Sequence, residues 1–423
     1  MRKGRFLISI LIVLSLILPG CQQEVPMADP VAVVEDVEPT ATYDWMAGES
    51  PVPNKRIGTV RAGLAGADVA VSPTGVYFLP AYTVTSEQYI MYVDDGSDQV
   101  IKLCGRLDCT HTDDDCNAYV EDAGYITYDD GYLYVATHGV ELINGYTASV
   151  SELFRMDPDG SNRVELYDLG GFASSVSEDG EMVEVEGWRL SGGYYEFAVK
   201  TWAEAEDGQL QRAGSDGYIY KLDGSEGAPR PDPSDAATMY HCGDLLMGIK
   251  KGSGNGGELG SYWAVDLEAG ADTYLTDHPG VPGWFSLEEA YYCRNGDLIR
   301  LTYATGEEKV VVETGLETKT ELDYYALCFP DCFVIANTEF GDDGDDNLYI
   351  YNWAFELVDI VLIDVPHEGM THRLFLAETA DRFILTDGTV GDLPLYYINK
   401  SELGTGNVQI HEFQLPDLRT DFM

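Results

Sequence analysis

The feature that most limits what this chain can become is a repeat. A strand, a tight polar turn and a second strand return about every 50 residues along the body. Residues 69–78, Val-Ala-Val-Ser-Pro-Thr-Gly-Val-Tyr-Phe, and residues 126–135, Ile-Thr-Tyr-Asp-Asp-Gly-Tyr-Leu-Tyr-Val, are two clear copies. Looser copies occupy 186–197, 239–247, 291–299, 326–335 and 374–384. Each has alternating or continuous β-branched and aromatic residues on both sides of a turn, and the Asp-Gly and Asn-Gly pairs supply the positive φ that a two-residue hairpin needs. A second hairpin or strand follows most copies, at 89–103, 152–166, 218–224, 261–266, 347–352 and 395–399. Two hairpins make four strands, and four strands at a fixed period are the signature of a propeller blade.

The expectation is therefore an all-β chain, a β-propeller of seven four-stranded blades over residues 57–423. The unit near 280–315 is compressed, so six or eight blades are alternatives. Two β-sandwiches rank lower, because no linker-like break divides the repeat.

The N-terminus reads differently. Arg2, Lys3 and Arg5 precede an uncharged apolar run over residues 6–18, 13 residues long. That is short for a bilayer span and suits the core of a signal peptide. Leu18-Pro-Gly-Cys21 follows. It resembles the lipobox of bacterial lipoproteins, in which the Cys is acylated after cleavage. The resemblance implies a signal peptide over 1–20, lipidation at Cys21 and anchoring to the outer face of a bacterial membrane. Residues 21–56 carry Pro26, Pro30, Pro39, Pro51 and Pro53 with no apolar period, the composition of a flexible tether.

The formal charge of −48, from 73 acidic against 25 basic residues, excludes nucleic acid and anionic surfaces as binding partners. Neutral, cationic or metal-bearing partners remain open.

Soft ligands concentrate in one place, the loop over 104–119. Cys104, Cys109, His111 and Cys116 fall within 13 positions. Thiolates and an imidazole build closed tetrahedral zinc sites, which are normally structural. Outside the membrane the same thiols can oxidise to a disulfide instead. The chain has eight Cys. With Cys21 lipidated and three Cys on one structural zinc, four remain: Cys328 could pair with Cys332 across a hairpin tip, and Cys242 with Cys293. The competing reading, a disulfide within the loop, leaves a stray thiol.

Two resemblances concern the body. The segment 153–162, Leu-Phe-Arg-Met-Asp-Pro-Asp-Gly-Ser-Asn, resembles blades of the TolB-related and low-density-lipoprotein-receptor-like propellers. The loop at 104–119, ending Cys116-Asn-Ala-Tyr119, resembles a segment of uncharacterised Gram-positive surface lipoproteins with propeller bodies, although Leu107 stands where those usually carry Pro. Neither resemblance implies an activity.

Catalytic signatures are missing. Residues 252–257, Gly-Ser-Gly-Asn-Gly-Gly, match a dinucleotide fingerprint by letter but precede a strand rather than a helix. Residues 342–346, Asp-Asp-Gly-Asp-Asp, lack the spacing of a calcium loop. The reading is a lipid-anchored extracytoplasmic propeller that binds or scaffolds a protein or glycan partner. The alternative is a propeller hydrolase or lyase acting on extracellular polysaccharide or phosphate esters. A solute-capture or envelope-assembly role rests on analogy of fold alone.

Overall fold

Strand follows strand through the computed structural model, and neighbouring strands within each sheet pair antiparallel. The structure describes residues 46–52 and most of 69–416; 80–86, 111–115, 251–260, 338–346, 364–374, 387–394 and shorter pieces lie outside the described residues. Residues 41–423 form one compact unit. Among the described residues there are six four-stranded sheets and one five-stranded sheet, with two further two-stranded pairs. In chain order the seven larger sheets, here sheets 1 to 7, begin at Val69, Ala123, Ser175, Ala236, Pro282, Tyr324 and Phe375.

The predicted hairpins form where the turn chemistry demanded them. Ala123–Asp129 pairs with Tyr132–Thr137 around Asp130 and Gly131, whose φ values are 44° and 86°. Glu289–Arg294 pairs with Asp297–Thr302 around Asn295 and Gly296, at 52° and 79°. Both residues left-handed is the backbone of a two-residue hairpin matched to strand twist.

A second turn recurs between the first and second strands. In sheets 1, 5 and 7 it starts on Ser72, Ser286 and Thr379. Each donates its N–H to the carbonyl three residues on, at 2.8, 2.8 and 2.9 Å. Each hydroxyl oxygen also accepts the N–H of that third residue, Gly75, Glu289 or Arg382, at 3.1, 3.2 and 3.0 Å. A short hydroxyl side chain closes the turn locally, which is why Ser and Thr suit this position.

Two details depart from the sequence expectation. In sheet 5 the hairpin at 291–299 is the middle pair. Pro282–Phe285 lies before it and Glu307–Val312 after it, so the compressed unit still has four strands. Sheet 3 has five strands, because its central three are long and Pro229–Arg230 adds at the edge.

Buried apolar side chains join several neighbouring sheets. Sheet 5 packs on sheet 6 through Trp284, Tyr291, Phe333 and Trp353. Sheet 6 packs on sheet 7 through Val334, Ile350, Phe383 and Ile398. Sheet 2 packs on sheet 3 through Tyr134, Leu153, Tyr195 and Phe197. Sheet 1 is held between sheets 2 and 7, with Val76 and Met91 in one cluster with Ile126, Leu133, Ile384 and Tyr397. The first strands meet as well: Val69–Val71 touches both Ala123–Asp129 and Phe375–Glu378, and Pro282–Phe285 touches Tyr324–Cys328.

The C-terminal segment crosses from the last sheet to the first. Gln414 forms a parallel bridge with Gln99. Val100 N–H donates to the Gln414 carbonyl at 3.0 Å, and Gln414 N–H donates to the Asp98 carbonyl at 2.7 Å. Arg382 of sheet 7 donates to the Ser97 carbonyl, with its guanidinium over the Tyr397 ring.

Part of the stretch expected as a tether, residues 46–52, lies among the described residues. Residues 46–52 dock on sheet 6, where Gly48 bridges Trp353 and Ala354 N–H donates to the Ala47 carbonyl at 2.9 Å. Gly48 has φ of 101°, and a Cβ there would lie 2.1 Å from Ala354 N. Only glycine allows this close approach of two backbones.

Candidate metal centre

The Cys loop connects sheet 1 to sheet 2. It leaves the Ile101–Lys102 strand and re-enters at Tyr119–Glu121, which pairs with Glu87–Tyr89. Its two ends are fixed by the backbone. Leu103 N–H donates to the Ile90 carbonyl at 2.8 Å, and Ile90 N–H donates to the Ala118 carbonyl at 2.8 Å. Within it, Cys109 N–H reaches the Arg106 carbonyl at 3.3 Å and Tyr119 N–H the Cys116 carbonyl at 3.0 Å. These turns direct the three thiols inward.

The sulfur atoms of Cys104, Cys109 and Cys116 all lie within 4.8 Å of one another. Three cysteines are thus close enough to hold a metal ion. Ligand sulfurs on a tetrahedral zinc stand about 3.8 Å apart, so the thiols need to close only slightly. Cys116 is buried, and Cys104 and Cys109 are partly buried. His111 and Cys21 lie outside the described residues.

The thiols are electrostatically unequal. Burial acts to raise Cys104, but hydrogen bonds from the Arg106 and Asn117 backbones and from Cys109 and Cys116 outweigh it and hold Cys104 below the ordinary thiol range. Burial pushes Cys116 up to about 12, and its neighbours Cys109 and Cys104 add to that rise. Three sulfurs brought this close can exchange their protons for a cation.

The structure shows no disulfide between Cys328 and Cys332. Cys328 stands opposite Phe333 across the hairpin, and Cys332 is the next residue, so side-chain alternation sends the two thiols to opposite faces. Cys332 accordingly packs with Leu327 and Val334 between sheets 6 and 7, and Cys328 with Phe333 between sheets 5 and 6. Cys293 is also a free, buried thiol, so it makes no bond to Cys242, whose side chain lies outside the described residues. Burial pushes Cys293 up to about 12 and raises Cys332 as well, so neither is poised for reaction.

Sequence reasoning missed what supports the loop. The tip of the hairpin joining Leu153–Met156 to Val164–Tyr167 in sheet 2 presses against it. The segment had been read only as a propeller resemblance. Gly160, with φ of 78°, sits so near that a Cβ would lie 2.9 Å from the Leu103 carbonyl and 3.0 Å from the Asn117 carbonyl. Arg163 donates from Nη2 to the Asn117 carbonyl at 3.3 Å and also to the Tyr119 carbonyl. The signal available in the sequence was the Asp-Gly pair, which fixes the turn but not what it touches.

Neither a protein-family model nor a curated protein sequence matches the chain. Among solved structures, an acylaminoacyl peptidase from Pyrococcus horikoshii is similar at 11% identity with a TM-score of 0.46, over 87% of this chain and 54% of that one. An acylaminoacyl peptidase in complex with Z-Gly-Gly-Phe-chloromethyl ketone is similar at 10% identity with a TM-score of 0.45, over 85% and 52%. The chain spans about half the length of these peptidases.

Proposed function

We propose that residues 57–423 form a seven-bladed β-propeller, held by a lipid on Cys21 at the outer face of a bacterial membrane. It acts as a binding or scaffold module for a protein or glycan partner. The observation that carries this reading is the seating of the last sheet on the first, through Gln414 and Arg382. A propeller accounts for that contact, since its blades must close on themselves. The Cys loop serves the same body as a staple. One structural zinc on Cys104, Cys109, Cys116 and His111 would tie a connection that has little core of its own.

The zinc is tested by elemental analysis with thiol titration. The purified mature protein is expected to carry one zinc per chain, and chelation to make the three loop thiols reactive. Protein without metal, with at most one reactive thiol in the loop, sinks the zinc assignment.

The anchor and the role are tested together. Wild-type protein is expected in the detergent phase on Triton X-114 partition, and Cys21→Ser in the aqueous phase. The soluble body is expected to show saturable binding in glycan-array and purified-protein screens. Turnover of a polysaccharide or phosphate ester, with no retained partner, overturns the binding role in favour of a hydrolase or lyase.

A further inference from the structure

The hairpin of sheet 2 touches the Cys loop at both ends. Gly160 meets the carbonyl of Leu103, the residue before Cys104, and that of Asn117, the residue after Cys116. Arg163 holds Asn117 and Tyr119 from the same side. A ligand set spread over 13 positions can present its sulfurs together only if those ends are held together. The Ile90 backbone ties the two ends, and one turn of the neighbouring sheet adds a second tie.

Charge adds a second argument. Three thiolates, an imidazole and a divalent ion leave a net negative charge. The whole chain is strongly acidic, and Asp108, Asp113, Asp114 and Asp115 lie in the loop itself. Arg163 brings a fixed cation to the Cys116–Tyr119 turn, and its Nη2 donates to two carbonyls at once. Arg106, the loop's own cation, pairs instead with Asp108 at 3.5 Å near the surface.

We infer that Arg163 is a positioning residue for the metal centre: from the neighbouring sheet it fixes Cys116 against the other two thiolates and offsets the charge of the filled site. This inference rests on the metal reading above. Residues that orient ligands without touching the metal commonly change affinity by about 10–100-fold. The hairpin tip therefore couples metal binding to the junction of sheets 1 and 2.

The test uses the full mature chain loaded with Co(II), read by its thiolate charge-transfer band, and Zn(II) affinity by chelator competition. Arg163→Met is expected to weaken zinc affinity by about 10–100-fold and to alter the cobalt spectrum. Arg163→Lys, which keeps the charge but loses the fork, is expected to recover part of the affinity. Arg155→Met lies on the same hairpin with its guanidinium over the Tyr132 ring, and it should bind as wild type does. Melting of the metal-free proteins separates a folding defect from a site defect. Wild-type affinity and spectrum in Arg163→Met overturn the inference while leaving the metal reading intact. Failure of the wild-type chain to bind either ion overturns the metal reading and the inference with it.

Discussion

Lys400→Met is expected to lower the stability of the body by about 3–5 kcal/mol, the usual consequence of removing one partner from a buried ion pair. The Lys400 side chain is 4% exposed and donates from Nζ to Asp331 Oδ2 at 3.0 Å and to Glu378. Asp331 lies in the first turn of sheet 6 and Glu378 at the end of the first strand of sheet 7, so the ammonium joins two sheets. Its stem reaches over the Phe383 ring, with Nζ 5.1 Å from the centroid. Methionine can keep that packing but leaves Glu378, 12% exposed, without the ammonium. Urea unfolding at neutral pH measures the loss, and a midpoint within error of wild type would remove the triad from the list of structural ties. The triple variant with Glu378→Gln and Asp331→Asn should regain part of the stability, since neutral groups cost less to bury than one unpaired carboxylate.

The same triad predicts a pH dependence. Burial acts to lower Lys400, yet Glu378 and Asp331 overcome it and leave the group raised above the ordinary lysine range. A raised folded value means that the contribution is fully present below the unfolded lysine value. It is lost as pH climbs through the folded one. The stability difference between wild type and Lys400→Met should therefore hold across neutral pH and shrink only in strong alkali.

Ending the chain at Gly406 is expected to have the largest effect of any short deletion. It removes Phe413, 2% exposed, whose ring lies tilted 4.5 Å from that of Tyr397, and it removes both Gln414 bonds to the first sheet. Val408, Ile410 and Leu415, each packed against a core cluster, go with them. Phe413→Ala alone should cost about 3–5 kcal/mol, as for other buried aromatics cut back to a methyl. The truncated chain should melt well below the point variant or fail to accumulate as soluble protein. Circular dichroism melts of the two decide the matter, and a truncated chain that melts with the wild type denies the C-terminal segment its closing role.

The hairpins were legible because their determinants are local. Asp130-Gly131 and Asn295-Gly296 need a left-handed pair, and the residues around them alternate into strands. The four-strand grouping followed from period alone. What escaped was set by tertiary proximity. The strand Pro282–Phe285 carries Pro and Gly, and pattern reading skipped it; Gly283 is there because its Cβ would lie 2.7 Å from the Ala326 carbonyl of the next sheet. The Cys328–Cys332 spacing looked right for a bridge, but spacing along a chain does not reveal which face each thiol takes. At the Cys loop the three thiols that come together, Cys104, Cys109 and Cys116, stood plainly in the sequence. Arg163, lying 47 positions beyond Cys116, did not stand out, because only the packing of sheet 2 on that loop brings it near.

The bond between Gln414 and Asp98 joins residues 316 positions apart. Such a junction cannot form until residue 414 has emerged, long after the strands of the first sheet. Contacts of this separation carry the full entropy of closing the chain and slow the final folding step. Until that moment the edge at Val100 stands unpaired and open to the wrong strand, from this chain or another. The strands of the first sheet thus arrive early, but its contact with Gln414 waits until the later sheets have been made.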